Sequence, residues 1–357
     1  WLCDGNQYLD VINPLKEAHQ QGKLTQEGEQ LLSIVEEFYQ GAKGRLGELT
    51  TKGEDQHHRI GMRMAQNFPQ IFNAKNSRVD ARSTVVIRCI LSMEAECEEL
   101  ARYFRNLTIR NDVSNTYQWY LAPNTPPFVR EAEKGRDGLE TKWRQELVHP
   151  ERFSAQIFND ESYSRANVNC ERLMRRVFDV CCNMQSHYGA PNLWSYFTEE
   201  EAYDLWTLYN RRHYSEFGAS KYTQGKAPFK VQVLLKNFLE TADTIVGRKD
   251  YHGATLRFGH EVYLMPLAAI MELGHVGETI ENTDTLDRVW VNSNIFPMGG
   301  NIQLVFYRPK KGKDGDILVK ALLQEREVTL PVTPVKFPYY KWEDLRKYYL
   351  RKLASVQ

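Results

Sequence analysis

The stretch Ala254-Thr-Leu-Arg-Phe-Gly-His-Glu-Val-Tyr-Leu-Met-Pro-Leu267 decides the fold class. Ala254 to Phe258 has a strand pattern, Gly259 breaks it, and the apolar run from Val262 to Leu273 predicts a helix that follows at once. A strand that ends in Gly-His-Glu and feeds a helix is the repeating unit of α/β sheets, whose ligands collect at the carboxyl ends of the strands. The tract Arg82-Ser-Thr-Val-Val-Ile-Arg-Cys-Ile-Leu-Ser92 repeats the arrangement. An extended piece at Arg78 to Arg82 leads into a helix from about Val85 to Tyr103, with Ser83 or Thr84 as its expected cap.

Two shorter tracts share the pattern Gly-x-Leu-Thr-x-x-Gly, at Gly22 to Gly28 and Gly47 to Gly53. Each predicts a helix start, because a threonine oxygen can accept from a backbone N–H of the first turn and helically spaced apolar residues follow. Pro69 marks the end of the second helix. From Asn106 to Gly138 the signals weaken, with one strand expected at Tyr117 to Leu121. Residues 140 to 247 read as helical, including Glu199 to Phe217 and Val231 to Val246. Ile302 to Tyr307 and Ile317 to Leu323 flank Lys-Lys-Gly-Lys-Asp-Gly as a hairpin. The expected organisation is an α/β core of residues 1–105 and 248–357 with a helical insert or cap at 106–247.

The chain has 357 residues with 46 Lys+Arg against 46 Asp+Glu, which removes a global electrostatic argument for nucleic acid or an anionic membrane. The longest apolar stretch, Val262 to Met271, falls short of the roughly 20 residues that span a bilayer. Six cysteines show no Cys-x-x-Cys metal spacing and leave the redox compartment open. Phosphate-loop, dinucleotide-loop, serine-elbow and His-Glu-x-x-His motifs are absent, so neither a cofactor nor a metal is expected.

Two places can carry chemistry. Arg88 lies one turn inside a helix whose N-terminus favours anions, and a guanidinium can grip two phosphate oxygens; the alternative is a surface ion pair. His260 and Glu261 at the strand-to-helix turn can bind an oxyanion and donate a proton; the alternative is an acidic first-turn residue serving the helix dipole. The remaining histidines, including His57 and His58, lack zinc-like partners.

These tracts occur in the order seen in histidine acid phosphatases of the phosphoglycerate-mutase-like fold, and the chain resembles their multiple inositol polyphosphate phosphatase branch. The resemblance rests on Gly47 to Gly53 with the following Ile-Gly-Met-Arg-Met and Phe-Pro-Gln-Ile-Phe, on Arg82 to Ser92, and on Leu-Arg-Phe-Gly-His260-Glu261 with Leu-Met-Pro-Leu. Asn301 to Tyr307 and Leu322 to Pro331 add to it. It implies a central, mainly parallel sheet flanked by helices and a metal-independent hydrolysis of phosphomonoesters, inositol polyphosphates such as phytate foremost, through a phosphohistidine. By resemblance Arg88 and His260 bind the phosphate and Glu261 protonates the leaving alcohol. The branch usually reads His-Ala-Glu here and the phytases His-Asp, whereas this chain reads His260-Glu261-Val262.

The family's Arg-His-Gly nucleophile motif does not occur in the sequence and is expected just before Trp1. Arg110, Arg211, Arg212, Lys221 and Lys226 are expected as additional substrate contacts. The resemblance also implies an exported protein, periplasmic or at the cell surface. A binding module of the same fold without turnover, and a phosphatase of sugar phosphates or general monoesters, remain as alternatives.

Overall fold

The computed structural model describes residues 5–248, 251–310 and 314–356. Helices α1 (Gly5–Gln20), α2 (Gln26–Ala42) and α3 (Thr51–Asn67) open the chain. Both Gly-x-Leu-Thr-x-x-Gly tracts start a helix for the same reason. Thr25 Oγ1 accepts from the Gly28 N–H and Thr50 Oγ1 from the Gly53 N–H, each at 3.0 Å, satisfying a first-turn donor that has no partner within the helix. α1 tolerates an internal Pro14 because Tyr8, Val11, Ile12, Leu15 and Ala18 are buried at helical spacing.

Next, β1 (Arg78–Ser83) runs into α4 (Ile87–Tyr103), and β2 (Thr108–Val113) follows. The chain then stays helical, with α5 (Glu151–Ile157), α6 (Cys170–Met184), α7 (Glu199–Phe217) and α8 (Gln232–Val246) its main elements. β3 (Gly253–Phe258) runs into α9 (Glu261–Ile270). β4 (Ile302–Tyr307) and β5 (Leu318–Leu323) pair antiparallel, and α10 (Trp342–Ala354) ends the described chain. Lys311 to Lys313 of the expected hairpin turn lie outside the described residues.

The strand expected at Tyr117 to Leu121 is instead a short helical turn, Asn115–Tyr117 followed by Gln118–Leu121. Ser114 starts it by accepting from the Thr116 N–H at 3.1 Å, a local bond that competes with a strand ladder. The strand in this region is β2, whose polar sequence carries no strand signal of its own. Parallel pairing with β1 fixes it, from Arg78↔Thr108 to Ser83↔Val113. The expected cap of α4 also differs. Its N-cap is Val86, because Ser83 donates to the Thr84 carbonyl at 2.8 Å and Thr84 faces elsewhere.

The chain forms two compact units, residues 1–55 with 138–209 and residues 56–137 with 210–357. In the first unit α1 packs on α2 and α6, and α2 on α5, which ties the opening helices to the middle of the chain. In the second, α8 packs on α9 and α10, which ties residues beyond 210 to the sheet side.

Within the second unit, the three strands lie in the order β2-β1-β3, all parallel. One face of this sheet is apolar. Val79, Ala81 and Phe258 pack there with Met64, Phe72, Met93, Cys97 and Leu100, each of the larger aliphatic and aromatic side chains contributing about 1.5–3 kcal/mol on burial. α3 and α4 approach closely at Gly61, where a Cβ would meet the Glu96 carbonyl oxygen at 2.8 Å. Beside it His57 Nδ1 lies 2.7 Å from Glu96 Oε1. The other face is charged: Arg82 stands opposite Arg257 and Asp112 in register, an arrangement that parallel sheets rarely bury.

Candidate active site

The junctions after β1 and β3 are fastened to each other. The ladder extends one step past the strands, with the Thr84 N–H donating to the Phe258 carbonyl at 3.1 Å. Cys89, buried in the first turn of α4, donates its thiol to the Gly259 carbonyl at 3.1 Å. His260 therefore enters between Thr84 and Arg88. Arg88 Nη2 lies 3.2 Å from His260 Nδ1, and Thr84 Oγ1 lies 3.4 Å from Nε2.

These contacts fix the tautomer of the neutral ring. A guanidinium has no acceptor, so Nδ1 must accept and the proton of the neutral ring sits on Nε2, toward Thr84. Burial first, and then the Arg88 charge, lower the pKa of His260 below its ordinary value, with Glu261 opposing them. Burial likewise pushes the Cys89 thiol up, so it acts as a neutral donor.

Two helices begin here without a side-chain cap, α4 at Val86 and α9 at His260. Their positive dipole ends and the Arg88 guanidinium converge on His260, a combination suited to a phosphate-like anion. Glu261 opens α9 as an exposed first-turn carboxylate next in sequence to His260. Thus the structure brings Arg88 and His260 into contact and places Glu261 next to His260 at the start of α9.

The other basic candidates are engaged elsewhere. Arg110 pairs with Asp112 at 2.8 Å, Arg211 with Asp284 at 3.2 Å and Arg212 with Glu216 at 3.9 Å. Lys221 pairs with Glu281 at 3.7 Å, and Lys226 donates to Gln224 Oε1 at 2.9 Å.

Thr84 and Cys89 are site residues that the sequence alone does not single out, although both lie in the Arg82 to Ser92 tract. On the charged face below, Arg82 holds Asp80 at 3.0 Å and Tyr120 Oη at 3.2 Å and lies over the Tyr117 ring at 4.6 Å. Arg257 donates to Asn237 Oδ1 at 2.8 Å and Thr241 Oγ1 at 2.8 Å, and burial lowers its pKa to about 10. Among the described residues, no group of three or more His, Cys, Asp or Glu could hold a metal ion, and no helix is long and apolar enough to cross a membrane.

A histidine and an arginine in contact, with a carboxylate next in sequence, lie at the strand-to-helix junctions of a parallel α/β sheet. The model of the histidine phosphatase superfamily (branch 2) matches residues 16–324, and the chain belongs to that family, whose chemistry is phosphomonoester hydrolysis. Among solved structures, it is similar to the Bifidobacterium longum multiple inositol polyphosphate phosphatase in complex with inositol hexasulfate. That match has 17% identity and a TM-score of 0.74 over 98% of this chain and 89% of the other. The phytase from D. castellii matches at 13% identity with a TM-score of 0.67, over 99% and 77%. The Klebsiella phytase matches at 12% identity with a TM-score of 0.51, over 88% and 86%. At these identities the likeness is one of fold. No curated protein sequence matches the chain.

Proposed function

We propose that Arg88 and His260 bind the phosphoryl group of a phosphomonoester and that Glu261 protonates the departing alcohol, without a metal. The observation that carries this reading is the 3.2 Å contact between Arg88 and His260 at two converging helix N-termini. Charge on a phosphoryl group in transit is spread over its equatorial oxygens, and fixed cationic and N–H donors stabilise it there.

In the first half-reaction the P–O bond to the alcohol breaks, the phosphoryl group passes to a histidine nitrogen, and the Glu261 proton goes to the leaving oxygen. In the second, water attacks the phosphohistidine and gives its proton to Glu261, releasing phosphate. The nucleophile is assigned to the Arg-His-Gly motif expected before Trp1. Inositol polyphosphates are the first substrate class to try, because the Gly47 to Gly53, Arg82 to Ser92 and His260 tracts resemble that branch and a neighbour of the same fold is described with inositol hexasulfate. A simpler monoester is favoured by one observation: Arg110, Arg211, Arg212 and Lys221 each have a carboxylate partner of their own. An exported location, in the periplasm or at the cell surface, is part of the same proposal.

The test is phosphate release from inositol hexakisphosphate and from simple monoesters near pH 5 with chelator present, comparing this chain with one extended upstream. Release by the extended form alone supports the assignment. No release by either form on any monoester would leave a non-catalytic anion-binding protein of this fold.

A further inference from the structure

The tract that encloses His260 also presents an apolar surface that the phosphate chemistry does not use. Thr84 is 1% exposed and turned to His260, while its neighbour Val85 is 46% exposed and Ile87 is 55% exposed. Arg88 then turns back to His260. Leu91, one helical turn beyond Ile87 on the same side of α4, is 42% exposed. Single exposed apolar residues are ordinary, but these three stand within seven consecutive positions beside the anion site. Meanwhile, four of the five basic side chains expected to receive further phosphates, Arg110, Arg211, Arg212 and Lys221, hold carboxylates of the protein itself, and Lys226 holds the Gln224 amide.

We propose that Val85, Ile87 and Leu91 form a contact surface for the leaving group, so that the site takes phosphomonoesters of alkyl or aryl alcohols in preference to polyanionic ones. This rests on the reading of Arg88 and His260 as the phosphate site. The phosphate end is held by charge and hydrogen bonds, and the carbon skeleton leaving it lies against the α4 face. Each methylene that leaves water on that face strengthens binding, on the order of two- to fourfold.

The experiment needs no turnover. Calorimetric affinities of the protein for inorganic phosphate, methylphosphonate, butylphosphonate and octylphosphonate are compared, with inositol hexasulfate as the polyanionic competitor. The expected result is that octylphosphonate binds at least tenfold more tightly than methylphosphonate. In a Val85→Ser/Ile87→Ser variant that ratio falls toward one. Phosphate binding without any rise along the alkyl series, a ratio that survives the double substitution, or inositol hexasulfate binding more tightly than octylphosphonate would overturn the proposal and leave the phosphate site standing. Absence of binding by phosphate and every phosphonate would overturn both. The wild-type ratio decides the matter even if the variant fails to fold.

Discussion

Arg88 Nη2 donates to His260 Nδ1 at 3.2 Å across a separation of 172 positions in sequence. The bond holds both side chains in place before any anion arrives, and it keeps the histidine neutral. A bound phosphate dianion reverses that electrostatic balance, since it draws the guanidinium to itself and favours the imidazolium.

Anion binding should therefore take up a proton. His260 titrates below its ordinary value when the site is empty and higher when phosphate or vanadate is bound, so affinity rises as pH falls through the window between the two. Calorimetry in buffers of different ionisation enthalpy measures the uptake. His260→Asn should abolish it, and a pH-independent affinity in the wild type would count against this electrostatic account. Arg88→Lys loses the two-pronged grip and should weaken phosphate binding by about 10- to 100-fold.

Glu261→Gln, in the extended and active form, should lower turnover of glycerol phosphate by about 10²–10⁴-fold while largely sparing 4-nitrophenyl phosphate, whose leaving group needs no proton. Equal losses on both substrates would remove Glu261 from the role of proton donor.

Cys89 supports the turn that presents His260, through its bond to the Gly259 carbonyl. Cys89→Ala removes the donor and leaves a small void, for an expected loss of about 1–2 kcal/mol in denaturant unfolding together with weaker phosphate binding. Cys89→Ser retains a donor and should recover most of the anion affinity.

His213 predicts an acid-side loss of stability. Burial, with the Arg212 charge adding to it, lowers its pKa to about 4, and the Asn292 side-chain amide donates to its Nδ1 at 3.1 Å. The folded value lies below the unfolded one, so the unfolded chain protonates first. The contribution is full above about pH 6.5 and declines as pH falls toward 4, with a slope of at most about 1.4 kcal/mol per pH unit. Urea unfolding between pH 7 and 4 should show this slope reduced in His213→Gln.

The parts of the fold legible from sequence are those where local chemistry and final environment agree. Thr25 and Thr50 start their helices because each threonine caps within its own segment. β1 and β3 alternate apolar with polar residues because one face of the sheet is core and the other charged. β2 was not legible, since Thr108 to Val113 is polar and its conformation comes from a neighbour 30 positions earlier. Tyr117 to Leu121 misleads in the opposite sense, with strand-favouring aromatics in a turn started by Ser114. At the candidate site, the two strand-to-helix junctions that carry Arg88 and His260 were legible, and the structure brings these two side chains into contact. The engagement of Arg110, Arg211, Arg212 and Lys221 with carboxylates was not legible, because each partner is set by tertiary contact or by side-chain orientation.

The parallel register that places Ser83 opposite Phe258 also sets an order of events during synthesis. Arg88 leaves the ribosome long before His260, and no local contact can stand in for the missing half. Loop closure over such a distance is slow relative to helix formation, so the anion site is a late product of folding. An oxyanion in the medium thus recognises only finished molecules. If Arg88 and His260 bind phosphate as proposed, mass action withdraws those molecules from the unfolding equilibrium, and phosphate stabilises selectively the chains that have completed the β1–β3 pairing.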